Sequence, residues 1–238
     1  LRDDVDEEAR VRLFASARRV RGLVMREATM TITIDGVSIV SRDAGELRDA
    51  LHRTRRRPTA GEARAATLLW RNGSAAVLLH EAIGHAAEHD VAPVEWPSWL
   101  TVHDEPPFAI DDEGNESRVV DLMREAPSCL RRESFRDVPL RRMTNVVARQ
   151  HAAPFEMPKS FIEIELVAGG SYDPVTDLVT IDVAVSSAGA FTLRRTRAEI
   201  ASSLAGATGE PLRYPGVICS REGQELAVGS FAPVMITR

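Results

Sequence analysis

Apolar side chains along this chain change spacing several times, between the helical period and the extended period of two. Residues 4–20 mix charged and apolar side chains at a spacing that predicts a short amphipathic helix. From Arg26 the period becomes two: Met30, Ile32 and Ile34 alternate with threonines, Asp35-Gly36 supplies a hairpin turn, and Val37 and Ile39 return on a second strand. Ala44 to Arg57 predicts another helix, with Pro58 to Gly61 as a connector. A short apolar strand, Ala65 to Trp70, leads through Asn72-Gly73 to Ser74, the expected N-cap of a helix that ends before Pro93.

The middle, Pro93 to Pro158, is rich in proline, acids and arginine, and predicts loops with short helices and strands around a functional face. Alternation returns in the last third. Ile162, Ile164 and Leu166 form one face of a strand, Asp173 to Thr176 a turn, and Val179, Ile181, Val183 and Val185 the partner strand. A helix over Arg197 to Leu204 and a pair of strands flanking Ser220 to Gln224 complete the chain. Strands gather in hairpins instead of alternating with crossover helices. The expected class is therefore α+β, with antiparallel β-sheets and flanking helices, and a metal-binding helix followed by a strand-rich C-terminal region.

Composition narrows the function classes. With 238 residues, 44% hydrophobic and 27% charged, the chain can bury one large core or two small ones, as an ordinary globular protein does. No apolar run approaches bilayer-spanning length, and the opening LRDDVDEEARVR lacks the pattern of a secretory leader, so no membrane association is expected. The two cysteines, Cys129 and Cys219, argue against a disulfide framework and fit a reducing cytoplasm. A net charge of −5 gives no electrostatic reason to expect a nucleic-acid partner.

The chemistry is concentrated in His80-Glu81-Ala82-Ile83-Gly84-His85, two imidazoles and a carboxylate within one apolar stretch. Neutral nitrogen ligands and an adjacent base are what a hydrolytic zinc site needs. The histidines are five residues apart, and on a regular α-helix that spacing turns the second ring roughly 140° from the first. The helix must therefore widen by one residue, as a π-bulge, or break, and Gly84 is the place where that costs least. A catalytic zinc site usually takes three protein ligands. Pattern leaves the third open among His89, His103, His151, the acids after the helix, Cys129 and Cys219.

The stretch Leu79 to Asp90 resembles the signature of the TldD/PmbA family of metallopeptidases, HExxxH followed by Glu-x-Asp. Further blocks follow in the same order. Thr101-Val102-His103-Asp104 with Asp111-Asp112-Glu113-Gly114 resembles an Asp-containing strand and a DDEG loop, and Arg142-Met143-Thr144-Asn145 an RMTN segment. Gly169 to Thr176 is similar to the family's GGxVDPxTG turn, and Gly216 to Gly229 to its terminal block around a metal-ligating cysteine. The resemblance spans residues 65–238; relative to the family, the N-terminal domain is reduced and the interval from His85 to Cys219 is shortened.

Carried over position by position, the resemblance implies zinc held by His80, His85 and Cys219, with Glu81 as the general base on a zinc-bound water. It implies a TldD/PmbA-like fold in which residues 1–60 form a reduced helix and hairpin region and residues 61–238 a catalytic domain. The implied activity is hydrolysis of peptide bonds in unfolded or leader-type peptides, by a homo- or heterodimer with a TldD/PmbA-type subunit. Two other functions compete: a non-catalytic peptide-binding partner subunit, and a zinc amidohydrolase acting on a modified peptide. Glu88 and Asp90 are expected to orient ligands or cap loops, and His89 and His103 to lie at the surface or in a substrate groove. Cys129 is expected to be an ordinary thiol, Asp111, Asp112 and Glu113 to shape the cleft or a solvated turn, and Trp70, Trp96 and Trp99 to serve the core or an interface.

Overall fold

A computed structural model of the chain describes residues 10–20, 23–34, 37–41, 67–106, 118–123, 143–186, 189–214, 217–221 and 224–238. Strands dominate. β1 (Arg10–Val20), β2 (Leu23–Ile34) and β3 (Val37–Ser41) make a three-stranded antiparallel sheet of their own. The expected hairpin strands are present, with Ile34 opposite Val37 on either side of Asp35-Gly36. The helix expected over residues 4–20 is not: Arg10 to Val20 pairs with β2 along its whole length, from Arg10 opposite Thr33 to Val20 opposite Leu23. A lone helix of that length is marginal in water, whereas the ladder satisfies the backbone of both strands. Arg10-Val11-Arg12-Leu13 also alternates with period two, a signal masked by the charges around it. The helix expected over Ala44 to Arg57 lies outside the described residues.

The remaining strands build a ten-stranded sheet: β4 (Leu68–Trp70), β5 (Leu100–Asp104), β6 (Val120–Asp121), β7 (Asn145–Gln150), β8 (Ile162–Asp173), β9 (Leu178–Ser186), β10 (Gly189–Thr196), β11 (Leu204–Arg213), β12 (Val217–Arg221) and β13 (Gln224–Thr237). Its order is β10-β9-β8-β4-β13-β7-β5-β6, with β11 and β12 also pairing with β13. The β8–β9 hairpin is closed where the sequence places it. Asp173 accepts from the Val175 N–H at 2.9 Å and from the Thr176 hydroxyl at 2.6 Å, and these bonds hold its carboxyl below the ordinary range. The strand-rich α+β character stands, but the sheet is mixed instead of antiparallel. β4 runs parallel to β8, and β13 parallel to β7. Parallel neighbours need a long connection, and here each pair is joined through other strands and a helix, so no local turn dictates direction.

Two α-helices are present among the described residues, α1 (Ala75–Leu79) and α2 (Arg197–Ser203). Chain entry into α1 is set by Asn72 and Gly73, both at positive φ, and a Cβ on Gly73 would lie 2.4 Å from the Leu212 carbonyl oxygen. Ser74 does not cap the helix, contrary to expectation: its own backbone is helical, and its hydroxyl donates to the Ile164 carbonyl at 3.3 Å, tying α1 to β8. The sheet's demand for that hydroxyl outweighs the local motif.

α1 and the segment after it pack on β8, β9 and β13, and every residue of α1 is buried. Leu68, Trp70, Leu78, Leu79, Ile164 and Leu166 are among the largest fully buried side chains between them. Burial of each such side chain contributes about 1.5–3 kcal/mol. Trp70 also donates from Nε1 to the Thr237 hydroxyl at 2.9 Å; Trp96 and Trp99 are partly buried against the same core. The histidine-bearing segment is therefore held on a rigid floor.

Candidate metal centre

Continuing from α1, His80–His85 forms a π-helical turn and Ala86–Glu88 a 3-10 turn. The widening required by the five-residue spacing is thus present, and it brings both rings to the same side, with centroids 4.9 Å apart and planes nearly perpendicular at 89°. Gly84 serves this turn by its small size, not by unusual backbone. A Cβ there would lie 2.1 Å from Met143 Sδ and 3.3 Å from Val146 Cγ2, both on buried residues.

Cys219 reaches the histidines from β12, where it pairs with Leu226 of β13. Its Sγ lies 3.0 Å from His80 Nε2 and 3.7 Å from His85 Nε2. The ligand atoms of His80, His85 and Cys219 all fall within 4.8 Å of one another, and this group can hold a metal ion. Four-coordinate sites with nitrogen at about 2.05 Å and sulfur at about 2.3 Å separate the two donors by about 3.5 Å. The two observed N···S separations, 3.0 and 3.7 Å, bracket that value. Two imidazoles and a thiol are also a donor set suited to a borderline-soft cation. His80 is fully buried, whereas His85 keeps 26% of its side chain exposed, so solvent and solutes approach the group from the His85 side.

Glu81 points into the same space. Its Oε2 is 3.7 Å from His85 Nε2, is buried, and has no hydrogen-bond partner. Close packing explains its placement: a Cβ on Gly170 of β8 would sit 2.8 Å from Glu81 Oε1, so the carboxylate rests on bare backbone. Burial pushes the Glu81 carboxyl up to about 7; the charges of Asp182 and Glu88 add to the rise and His85 opposes it. That value suits a group exchanging protons near neutrality.

The other groups respond to the same crowding. Burial holds His80 well below the ordinary imidazole value, helped by the charge of His85. At His85, burial pulls downward, but hydrogen bonds with Cys219 and Glu88 and the charge of Glu81 outweigh it and push the ring up to about 11. The Cys219 thiol is raised by burial, against the influence of His85. Cys219 Sγ and Glu81 Oε2 each lie 3.7 Å from His85 Nε2, so acceptor atoms converge on a point where a cation would be stabilised.

Outer partners complete the cluster. Glu88 Oε2 accepts from His85 Nδ1 at 3.0 Å, and the buried Ser230 Oγ of β13 lies 3.3 Å from His80 Nδ1. Asp104 Oδ1 accepts the N–H groups of Thr144 and Asn145 and the Thr144 hydroxyl, each at 2.8 Å, which anchors the segment whose Met143 packs on Gly84.

The rival ligands lie elsewhere. His103 faces Glu105 and Asp121 at 4.0 and 3.8 Å, His151 meets the Thr101 hydroxyl at 3.2 Å, and the His89 ring sits 6.2 Å from that of Tyr172. Asp90 is exposed, while Cys129, Asp111, Asp112 and Glu113 lie outside the described residues. Ser230, Asp182 and the positional role of Gly170 went unread in the sequence. Ser230 and Asp182 carry no local signal, being single polar residues on strands; Gly170 announced only a turn-like glycine pair.

No family model matches the chain, and no curated protein matches it. Among solved structures, it is similar to a Bacteroides thetaiotaomicron protein described as a "putative modulator of DNA gyrase", at 12% identity and a TM-score of 0.39. The match covers 90% of this chain and 61% of that one, so this chain spans less than two thirds of its neighbour's length. A likeness of that strength carries no argument about activity.

Proposed function

We propose that this chain is a zinc-dependent peptidase that hydrolyses peptide bonds in unfolded or leader-type peptides. One observation carries the reading. His80, His85 and Cys219 converge within 4.8 Å, and Glu81 Oε2, buried and without a hydrogen bond, lies 3.7 Å from His85 Nε2. A structural cluster of histidines and a thiol has no need of a buried carboxylate oxygen without a hydrogen bond, which costs about 1–3 kcal/mol. A hydrolase does.

On this reading His80 and His85, through Nε2, and Cys219, through Sγ, hold the ion. Zinc bound there supplies Lewis acidity and makes a water easier to deprotonate. Glu81 accepts the proton of the attacking water and returns it to the leaving amine. Glu81 is itself buried and rests against Gly170 of β8, so bulk water has little access to it and its affinity for that proton is preserved. The resemblance to TldD/PmbA metallopeptidases supplies the substrate class. It is also the basis for extending the proposal to a cytoplasmic homo- or heterodimer with a TldD/PmbA-type subunit.

The test combines elemental analysis of the purified, zinc-supplied chain with digestion of an unfolded protein. We expect about one zinc in the wild type, sharply less in Cys219→Ala, and full zinc but no turnover in Glu81→Gln. A wild type that binds no zinc, or a Glu81→Gln chain that digests peptide at the wild-type rate, ends the proposal.

A further inference from the structure

We propose that Glu88 is a positioning residue for the metal centre: one carboxylate oxygen fixes the ring of His85 while the other holds the backbone at Met143. The inference rests on the metal reading above and adds a residue to it.

Glu88 is buried in the 3-10 turn that ends the histidine-bearing segment. Its Oε2 lies 3.0 Å from His85 Nδ1, and its Oε1 accepts from the Met143 N–H at 3.4 Å. A carboxylate can only accept, so the shared hydrogen sits on Nδ1, and Nε2 is the nitrogen left to face Cys219. His80 follows the same plan, with Ser230 Oγ at 3.3 Å on its Nδ1 side and Cys219 Sγ at 3.0 Å on its Nε2 side. In both rings the outer nitrogen is engaged by a buried protein group and the inner one faces the shared sulfur. Such a partner selects the tautomer, orients the ring and raises its basicity as a ligand.

The two partners differ for a physical reason. His80 is enclosed, and a neutral hydroxyl suffices beside it. His85 is 26% exposed, so water competes for its Nδ1–H, and a charged acceptor outcompetes water where a hydroxyl would not. The second oxygen explains why a carboxylate serves here and an amide would not. Glutamine offers one acceptor oxygen and one donor nitrogen, so with one end at each neighbour it accepts from the His85 Nδ1–H or from the Met143 N–H, not from both. Met143 packs on the bare Cα of Gly84, so Glu88 also couples the π turn to the segment leading into β7.

The experiment uses the full chain as wild type, Glu88→Gln and Glu88→Ala. Zinc affinity is read by competition with a chelator of known affinity, together with the visible spectrum of the cobalt(II)-loaded chain and the melting temperature of the metal-free chain. We expect Glu88→Ala to lose about 10–100-fold in zinc affinity, with an altered cobalt spectrum, and Glu88→Gln to lose a smaller share in the same direction. Wild-type affinity and spectrum in both variants overturn the inference and leave the metal reading standing, whatever happens to the melting temperature. A wild type that binds neither zinc nor cobalt overturns both. Should Glu88→Ala fail to fold, the isosteric Glu88→Gln decides alone: a weakened site with a changed spectrum supports the inference, and an unchanged one ends it.

Discussion

Two short helical segments of this protein are built on opposite terms. α2 obeys local rules: Thr196 accepts from the Glu199 N–H at 3.3 Å, Glu199 accepts from the Thr196 N–H at 2.7 Å, and the two close a capping box. The segment from Ala75 to Glu88 breaks those rules one after another. It has no side-chain cap, it widens into a π turn and then tightens into a 3-10 turn, and it buries a glutamate oxygen without a hydrogen bond. Sequences that fold well are locally consistent, so violations concentrate where function demands them. The broken helix holds the candidate chemistry; the regular one runs directly into β11.

The sharpest way to use this contrast is to substitute within each segment and ask which property moves. The largest effect is expected from Glu81→Gln, which removes the proposed base and should lower kcat by about 10²–10⁴-fold while zinc content stays at the wild-type level. Steady-state digestion of an unfolded protein beside elemental analysis checks it. Gly170→Ala should come next. Its Cβ would intrude to 2.8 Å from Glu81 Oε1, and the displaced carboxylate should cost on the order of 10²-fold in kcat with zinc still bound. If kcat is unchanged, Glu81 is not held by its contact with β8.

Gly84→Ala tests the π turn through stability. The added methyl forces buried Met143 aside, and chemical denaturation should show a loss of about 1–3 kcal/mol. In α2, Thr196→Ala removes the cap and should cost about 0.5–2 kcal/mol with zinc affinity and kcat untouched. If it alters the metal site, the two segments are not independent. The smallest effect is acid sensitivity of that cap. Hydrogen bonds from the backbone and side chain of Thr196 depress the Glu199 carboxyl below 4.5. Its contribution is therefore fully present above the unfolded value and disappears as pH falls through the folded one. Because Glu199 is solvent-exposed, the contribution is screened and small. The stability difference between wild type and Glu199→Gln should accordingly narrow as the pH drops below 4.5.

Legibility in the sequence followed the same divide. Alternation at Ile162 to Leu166 and Val179 to Val185, with an Asp-Pro turn between, was enough to place the β8–β9 hairpin, because both its pairing and its turn are local. The charges in residues 10–20 disguised a strand as an amphipathic helix, and only pairing with β2 settles that segment. At the site, His80, Glu81 and His85 were readable from type and spacing. Cys219 was one of several candidates until the resemblance singled it out, since nothing near it in the chain distinguishes a ligand from an ordinary thiol.

By itself the sequence determined what adjacent residues can enforce: the hairpins, the capping box of α2, and a helix obliged to widen because its histidines stand five residues apart. Only the tertiary structure decided which thiol lies opposite those histidines, since Cys219 is separated from His85 by 134 positions and arrives on a strand positioned by β13. It also decided that Gly84 makes room for Met143 and Gly170 for Glu81, and that Ser74 bonds to β8 instead of capping α1. Those choices depend on volume and on satisfying buried backbone groups across the sheet. Such terms belong to distant partners, and no local window of sequence contains them.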